Sequence, residues 1–358
     1  MSNKKIILIT GGLGYIGSHT IVEFFNENYL KINNITNDFE IVIIDDCSSC
    51  SDKILPILEG IIQKKIYFYK ASLNDKIILE EPFKNHKFYA VIHFAGKKSV
   101  NESIEKPLYY YYNNFIGTFN LIEMCLKYNV NNFIFSSSCT VYGNRNDKPK
   151  EDEKFLFPIN PYGKSKLFIE YMLQDVAKVN TQFKVILLRY CNPVSCHSSG
   201  LIGEDPFLNP TNLFPVIQNL IRGELKELII YGQDYPTKDG TCIRDYIHVT
   251  DIAQGHIIVL TLFEKEREKF FKDNCVIYNM GTNKGYSVKE IVDTYEKANK
   301  IKLNYRFGKR RKGDATISLP DCSKIYKDLG WIPKIDLEQM CKDSYNFIKM
   351  HPKGLYQK

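Results

Sequence analysis

The sequence predicts an α/β protein: a doubly wound parallel sheet joined by a smaller, interleaved α/β domain. Three observations support this fold class. Short apolar runs alternate with helical stretches over residues 1–190, a glycine-rich turn follows the first run, and polar or small residues follow several later runs. Such alternation is typical of parallel sheets with helices on both faces. Ligands bind these sheets at the carboxyl ends of the strands, where the conspicuous residues fall.

The first predicted strand, residues 5–10, ends in a glycine-rich turn and leads into a helix predicted over residues 15–28. In that turn Gly11 permits a tight bend, Gly14 lets the backbone approach a pyrophosphate, and Gly17 allows close contact between helix and sheet. The N–H groups of a helix N-terminus bind phosphate. Strand, turn and helix in this order indicate a dinucleotide site.

The second predicted strand, residues 40–44, ends in Asp45 and Asp46. A carboxylate at this position accepts hydrogen bonds from an adenosine ribose and repels a 2′-phosphate, which favours NAD over NADP. The spacing from Gly17 is long, and we expect residues 26–38 to form a loop extension that accounts for it.

Further strands are predicted at residues 66–70, 88–94, 132–135 and 184–188, and helices at residues 75–86, 108–128 and 161–179. We therefore place the dinucleotide-binding domain at residues 1–190. Loops rich in Pro, Gly and Asn begin near residue 191 and predict a mainly substrate-binding domain over residues 191–358. Segments near 240–285 are expected to return to the first domain, because residues 276–280 have the pattern of a core strand.

Composition narrows the function classes. A net charge of +7 over 358 residues is modest and scattered, which argues against nucleic-acid binding. Ten cysteines without paired spacing indicate reduced thiols in the cytoplasm, and the single Cys47/Cys50 pair lacks the second pair of a zinc ribbon. Apolar runs are shorter than the ~20 residues that cross a bilayer. We expect neither a membrane partner nor a metal.

A second motif, Asn160 to Lys166, is typical of a helix start, with Asn160 as cap and Pro161 in the first turn. Tyr162 and Lys166 are four residues apart and share one helical face. An ammonium group near a phenol lowers the phenol pKa, and the phenolate accepts a proton from a hydroxyl. A surface Tyr and Lys on an ordinary amphipathic helix is the alternative.

Beyond these, ordered motifs occupy residues 10–19, 93–96, 133–138, 141–143, 161–166, 189–193, 203–206, 234–237, 244–249 and 310–314. On these residues the chain resembles the extended short-chain dehydrogenase/reductase family, a Rossmann-fold family, and within it the UDP-glucose 4-epimerases. The resemblance implies an isomerase of galactose metabolism that interconverts UDP-galactose and UDP-glucose. In such enzymes a hydride moves transiently to tightly bound NAD, and a 4-keto sugar is the intermediate.

The resemblance implies that Tyr162 takes the proton from the sugar, helped by Ser138 and tuned by Lys166. It implies NAD contacts at Gly11, Gly12, Gly14, Tyr15, Ile16, Gly17, Asp45, Asp46, Cys47, Ser48, Ser49, Ser72, Leu73, Phe94, Ala95, Gly96, Lys98, Asn113, Ser138, Tyr162, Lys166 and Cys191. It implies UDP-sugar contacts at Ser138, Tyr162, Asn192, Asn212, Leu213, Tyr231, Arg244, Arg311, Asp314 and Ser318. It also implies a homodimer in which the helices at residues 108–128 and 161–179 form a four-helix bundle.

Several positions depart from the family pattern. Ser72 replaces the usual Asp at the adenine, and Cys191 replaces the usual Phe at the nicotinamide, so a looser cofactor site is expected. Ser318 is small where the family lines the hexose pocket. That leaves room for an N-acetyl group and predicts turnover of UDP-N-acetylhexosamines.

Related activities were weighed against this interpretation. A nucleotide-sugar 4,6-dehydratase needs Asp-Glu immediately before the Val141-Tyr142-Gly143 motif, and here Cys139 and Thr140 stand there. UDP-glucuronate 4-epimerases and other UDP-sugar-modifying relatives stay open, although the sequence places no dedicated cation for a 6-carboxylate. A non-catalytic NAD- or RNA-binding relative typically lacks the Tyr or the Lys, and both are present.

Overall fold

A computed structural model describes residues 4–36, 38–145, 147–205, 210–311 and 314–356, without the side chains of 265–267. Its strands, in chain order, are β1 Lys5–Thr10, β2 Phe39–Asp45, β3 Tyr67–Lys70, β4 Ala90–His93, β5 Asn132–Ser138, β6 Lys184–Tyr190, β7 Asn192–Val194, β8 Leu228–Tyr231, β9 Ile243–Arg244, β10 Tyr246–His248, β11 Cys275–Met280, β12 Tyr286–Ser287, β13 Tyr305–Gly308 and β14 Ile317–Ser318. Its α-helices are α1 Tyr15–Glu23, α2 Glu27–Ile32, α3 Ile54–Ile62, α4 Lys76–Asn85, α5 Val100–Glu105, α6 Pro107–Tyr110, α7 Gly117–Lys127, α8 Pro161–Val179, α9 Leu213–Ile221, α10 Val249–Leu260, α11 Val288–Asn299, α12 Ser323–Leu329 and α13 Leu337–Met350.

Seven strands form one parallel sheet in the order β11-β6-β5-β4-β1-β2-β3. The central strands are apolar on both sides because helices cover both faces, and Ile7, Leu8 and Ile9 are fully buried. This is the doubly wound α/β fold that the sequence predicts. The carboxyl ends of β1, β2, β4 and β5 meet at one edge, and that edge carries the predicted site.

The predicted substrate-binding segment, residues 191–358, contains short strands around an apolar core of its own. Its small sheets pair β7 with β10, β9 with β12 and β14, and β8 with β13. Phe214, Tyr246, Tyr295 and Met340 are buried in its core. Strand β11 returns to the main sheet beside β6, as predicted for residues 276–280. Among the described residues, no helix has the length and apolar character needed to cross a membrane.

The expectation of a loop over residues 26–38 is wrong in part, as is the single helix expected over residues 15–28. Helix α1 ends at Glu23, and α2 begins at Glu27 after Asn26, whose side chain accepts a hydrogen bond from Tyr29 N at 3.1 Å. The buried Tyr29 and Leu30 anchor α2 to the core. An N-cap followed by two core residues is enough to form a short helix.

The helix predicted over residues 108–128 is confirmed as a continuous helical run, which contains a π-helical turn that the prediction did not include. Helix α5 ends at Glu105, α6 begins at Pro107, a π-helical turn covers Tyr111–Ile116, and α7 follows. Proline has no backbone N–H to continue a preceding helix, so a new helix starts at Pro107. π-helical turns are frequent at functional sites.

Candidate active site

The glycine turn between β1 and α1 is shaped for close backbone approach. Gly11 has φ +69, and a Cβ there would lie 2.7 Å from the Ala95 backbone nitrogen. A Cβ on Gly17 would lie 2.4 Å from the Gly11 carbonyl oxygen. Gly14 is the N-cap of α1, and no described side chain caps this terminus. The first N–H groups of α1, beginning with Tyr15 and Ile16, are therefore available to an anion, as a pyrophosphate site requires.

The two aspartates after β2 lie beside this turn. Asp45 is buried and accepts hydrogen bonds from Leu13 N at 3.1 Å and Cys47 N at 2.9 Å. Burial raises the pKa of Asp45, against the effect of these hydrogen bonds. Asp46 is exposed and accepts from Ser48 N at 2.9 Å, and Ser49 is exposed beside it. Asp45 thus connects the ribose side of the predicted site to the phosphate turn.

Ser72 and Leu73 follow β3 at the same edge. Ser72 lines an open cavity of about 730 Å³ together with Asn74, Ile116 and Phe119. The carbonyl oxygen of Leu73 accepts a hydrogen bond from the Asn120 side chain at 3.0 Å. The residue expected at the adenine therefore faces open space.

The loop after β4 contains Phe94, Ala95 and Gly96, and it is held by a residue that the sequence did not single out. Buried Asn114 accepts from Lys97 N at 2.8 Å and donates to Lys97 O at 3.0 Å and to Ser165 Oγ at 3.2 Å. The predicted contact, Asn113, instead donates to Tyr109 O at 3.0 Å. Adjacent asparagines look alike in sequence, and only the fold shows which one is turned inward.

Ser138, Tyr162 and Lys166 converge where β5 ends and α8 begins. Asn160 caps α8 by accepting from Gly163 N at 2.8 Å, which places Tyr162 in the first turn. Tyr162 is hydrogen-bonded to Ser138. The Lys166 Nζ atom lies 5.9 Å from the Tyr162 ring centroid and donates to Ser136 O at 2.7 Å. The sequence-predicted triad is therefore assembled.

The direction of the Tyr162 pKa corrects an expectation. Burial raises the pKa of Tyr162, and the hydrogen bond with Ser138 lowers it by less. Burial lowers the pKa of Lys166 to about 8, although the nearby Glu170 carboxylate acts in the opposite sense. The predicted lowering of the phenol pKa by Lys166 is wrong for the chain alone, because removal of both groups from water dominates.

A buried ion pair supports this group and was missed by the sequence argument. The Arg189 guanidinium contacts Glu170 at 2.7 Å and Tyr142 Oη at 2.8 Å, and Glu170 also accepts from Ser137. Glu170 lies on α8 and Ser137 on β5. The pair therefore fixes the helix that carries Tyr162 against the strand that carries Ser138. The only sign of this ion pair in the sequence was one charged residue in each of two largely apolar segments, Arg189 in β6 and Glu170 in α8.

Most of the predicted UDP contacts gather in the second domain. The Arg311 guanidinium lies 4.9 Å from the Tyr231 ring centroid, and its Nε donates to Asp314 at 2.9 Å. The Cys242 thiol experiences the charges of Arg244, Arg311 and Asp314, so these three lie close together. Ser318 pairs with Arg244 between β14 and β9. Lys312 and Gly313 of the motif at residues 310–314 lie outside the described residues.

A second set of predicted residues makes contacts between the sheet edge and the segment after residue 190. Lys98 forms an ion pair with Glu204, and its Nζ lies 5.5 Å from the Tyr15 ring centroid. Asn212, the residue before α9 and Leu213, lies 3.5 Å from Glu204. Tyr15 donates to Ser195 O at 2.8 Å. Asn192, in β7, donates to Asp245 O at 3.1 Å beside the paired strand β10, and half-buried Cys191 precedes Asn192.

Comparisons with known proteins agree with this geometry. A family model described as GDP-mannose 4,6 dehydratase matches residues 8–344. The chain is 44% identical over 349 residues to a UDP-glucose 4-epimerase of Haemophilus influenzae, covering 97% of this chain and 98% of that one. Two similar solved structures are a UDP-glucose 4-epimerase from Bifidobacterium longum in complex with NAD⁺ and UDP (TM-score 0.87, 39% identity, 97% and 99% covered) and a UDP-Glc/GlcNAc 4-epimerase from Campylobacter jejuni (TM-score 0.79, 37% identity, 97% and 99% covered).

Proposed function

Because the chain belongs to the extended short-chain dehydrogenase/reductase family and to its UDP-glucose 4-epimerase branch, we propose that it interconverts UDP-galactose and UDP-glucose with NAD as cofactor. The observation that carries this proposal is the half-buried Tyr162, whose phenol is hydrogen-bonded to Ser138, with Lys166 on the same helix face. All ten cysteines are described and free, which suits a cytoplasmic enzyme of galactose metabolism.

The residues at the sheet edge fit NAD. The open N-terminus of α1 receives the pyrophosphate. Gly17 keeps the phosphate turn in place, because any side chain at this position would collide with the turn and displace it. The Asp45 carboxylate accepts from a ribose and disfavours a 2′-phosphate. When bound, NAD supplies a reversible hydride acceptor.

The hydrogen bonds of Ser138 support a role as a proton donor to Tyr162. Its Oγ accepts from Thr140 N at 3.2 Å and from Thr140 Oγ1 at 3.0 Å, which uses both of its lone pairs. Its own proton is then donated to the Tyr162 oxygen. This donation stabilises the phenolate, so Tyr162 takes a proton from the sugar 4-hydroxyl and later returns it.

An epimerase must present both faces of the 4-keto sugar to the cofactor, so the sugar has to rotate in the site. The binding energy therefore has to come from the uridine diphosphate, which does not rotate. Arg244 and Arg311 supply guanidinium groups suited to a pyrophosphate, and Tyr231 an aromatic ring suited to uracil. The resemblance also assigns Asn192, Asn212 and Leu213 to the substrate, and Asn212 is the N-cap of α9.

The name of the matched family model raises dehydration as a second reaction, and the site argues against it. The Cys139 thiol donates to Arg189 O at 3.2 Å, and the Thr140 hydroxyl donates to Ser138. Neither side chain offers the carboxyl pair that elimination of water needs. Epimerisation needs only the Tyr162 group and the cofactor.

We further propose that the hexose pocket accepts UDP-N-acetylhexosamines. Ser318 is half-buried in β14 beside Arg244, so the pocket wall at this position ends in a single hydroxyl. The similar Campylobacter jejuni protein is described as a UDP-Glc/GlcNAc 4-epimerase.

We also propose a homodimer formed by a four-helix bundle. Apolar side chains are exposed along one side of the α5–α7 segment and of α8: Ile104, Leu108, Tyr112, Phe119, Phe168 and Tyr171. An exposed apolar surface that spans several helices typically marks an interface.

The test of the proposed function is to follow UDP-glucose formation from UDP-galactose with purified protein, with and without added NAD. Tyr162→Phe is expected to abolish product formation, whereas Tyr67→Phe, on the exposed edge strand β3, is the matched control. Activity that appears only with added NAD would mean that Ser72 and Cys191 loosen the cofactor site. Absence of product under both conditions would contradict the proposal, and UDP-glucuronate would then be tested.

A further inference from the structure

Three thiols and a carboxylate meet beside the candidate catalytic group. The Sγ atoms of Cys139 and Cys191 are 3.8 Å apart, and the thiols of Cys191 and Cys322 are hydrogen-bonded. The ligand atoms of Cys191, Asp245 and Cys322 all lie within 4.8 Å of one another. Of these residues only Cys191 is expected to contact the cofactor, and the proposed reaction assigns no role to Cys139, Asp245 or Cys322.

The fold brings these residues together rigidly. Cys139 and Cys191 follow the paired strands β5 and β6, whose last residues, Ser138 and Tyr190, are opposite each other. The Asp245 carboxylate is held by Thr282 N at 2.8 Å, Thr282 Oγ1 at 2.6 Å and Asn283 N at 2.9 Å. A Cβ on Gly281 would lie 2.5 Å from Cys191 Sγ and 2.6 Å from Asp245 Oδ2. The backbone therefore closes one side of the cluster, so its ligand atoms are preorganised.

The spacing matches a tetrahedral metal ion better than a disulfide. Zn–S bonds of about 2.3 Å place two sulfurs of a tetrahedral site roughly 3.8 Å apart. That value equals the distance between the sulfurs of Cys139 and Cys191. A disulfide would require the same sulfurs to approach to about 2.05 Å. Thiolates with one carboxylate oxygen form a ligand set that suits zinc-like ions.

Charge also favours a cation. The Asp245 carboxylate is fully buried, and a divalent ion would compensate its charge. Each thiol that binds the ion releases one proton to water. Cys191 is half-buried, so the cluster is accessible from the cleft.

We propose that Cys191, Cys322 and Asp245 form an inhibitory site for a thiophilic divalent cation such as Zn²⁺, with Cys139, whose Sγ lies 3.8 Å from that of Cys191, as a further thiol at its edge. The ion lies next to the proton-transfer group, because Cys139 adjoins Ser138 in sequence and its thiol acts electrostatically on Tyr162. Metal occupancy blocks the position of the sugar and attracts the phenolate electrostatically. Metal binding does not depend on the proposed function, whereas inhibition does.

The test uses the NAD-containing protein, with Cd²⁺ as a spectroscopic probe and Zn²⁺ as inhibitor. One equivalent of Cd²⁺ is expected to produce thiolate-to-cadmium ultraviolet absorption. Cys322→Ala should reduce this absorption by at least half and weaken inhibition by Zn²⁺ at least tenfold. Cys275→Ala is the matched control, since this thiol starts β11 at the other end of the sheet, and it should change neither quantity.

Equal absorption and equal Zn²⁺ inhibition in all three proteins would overturn the proposal. So would a signal lost on Cys50→Ala instead, because Asp45, Cys47 and Cys50 form a second such group at the cofactor site. If Cys322→Ala does not fold, the wild type decides: Zn²⁺ must protect Cys139 and Cys191 from maleimide, as counted by mass spectrometry, and unprotected thiols refute the site. Cd²⁺ binding without epimerase activity would leave the site standing and refute only the proposed function.

Discussion

At the scale of single residues, Gly17 tests the phosphate turn. A Cβ there would lie 2.4 Å from the Gly11 carbonyl oxygen, so Gly17→Ala must displace the turn or α1. We expect at least a tenfold loss of NAD affinity, measured by calorimetry on nucleotide-free protein. Gly60→Ala, in α3 where an added Cβ meets nothing within 4 Å, should keep NAD affinity and stabilise by about 0.5–1 kcal/mol. Equal NAD affinity in both variants would refute the steric argument.

Lys166 gives a pH-dependent prediction. Burial lowers its pKa from 10.5 to about 8, so between these values the unfolded chain binds a proton that the folded chain lacks. The contribution of Lys166 to the free energy of unfolding therefore rises as the pH increases from 8 to 10.5. Lys166→Met removes this contribution. Across that pH window, the free energy of unfolding of the wild type should therefore rise by roughly 2 to 3 kcal/mol relative to that of the variant.

Denaturant titrations of both nucleotide-free proteins at pH 8 and pH 10 measure this difference. A difference between the two proteins that stays constant over the two pH values would show that Lys166 keeps its ordinary pKa in the folded state.

Ser318 tests the width of the hexose pocket. A tyrosine at this position of β14 would fill the space that we assign to an N-acetyl group. Ser318→Tyr should lower kcat/KM for UDP-N-acetylglucosamine at least tenfold while changing that for UDP-galactose less than threefold. Undetectable turnover of the N-acetylated sugar by an active wild-type enzyme would contradict the assignment.

Some residues of the site could be predicted from their neighbouring sequence, and others could not. Ser138, Tyr162 and the glycine turn were predictable because each is next to a strand end or helix start that its own sequence determines. The ion pair between Lys98 and Glu204 was not, since its partners are 106 positions apart and neither has a local signal. The raised pKa of Tyr162 depends on burial, which a short motif does not encode.

At the scale of elements, the N-cap of α8 should affect catalysis as well as stability. Asn160→Ala and Asp336→Ala each remove an N-cap hydrogen bond, to Gly163 N and Gln339 N, and should each cost about 1 kcal/mol. Only α8 carries Tyr162 and Lys166. Asn160→Ala should therefore also lower kcat severalfold, whereas Asp336→Ala, in α13, should not. Thermal unfolding with steady-state kinetics checks both, and an equal kcat in the two variants would contradict the argument.

The same contrast explains which elements were predictable. The prediction for α8 matched its observed bounds because an Asn cap and a Pro mark its start and an apolar face continues to its end. The helical run that ends before β5 was also predicted close to its observed bounds, but its π-helical turn over Tyr111–Ile116 was not predicted. Periodicity detects the buried face of a helix and is insensitive to one extra residue in a turn.

At the scale of the whole molecule, the cleft is held by contacts that cross between the domains. Tyr15, in the first turn of α1, donates to Ser195 O, and Lys98 after β4 pairs with Glu204. Lys98 also lies over the Tyr15 ring. The phosphate turn is thus fixed to the second domain by the same residues that border the cofactor site. Loss of these contacts would alter the geometry of the cleft and not only the affinity for NAD.

The exposed apolar surface of α5–α8 has no counterpart of similar extent in the second domain among the described residues, and it predicts the oligomeric state. Leu108 is 81% exposed and Phe168 is 44% exposed. Contiguous apolar side chains with such exposure are unfavourable in water and typically mark an interface. We expect the wild type to have twice the mass of one chain in size-exclusion chromatography with light scattering. Leu108→Glu combined with Phe168→Glu should give monomers, because two like charges would then be buried in each half of the bundle. Ile332→Glu, exposed outside this surface, is the matched control and should remain dimeric, whereas a monomeric wild type would refute the bundle.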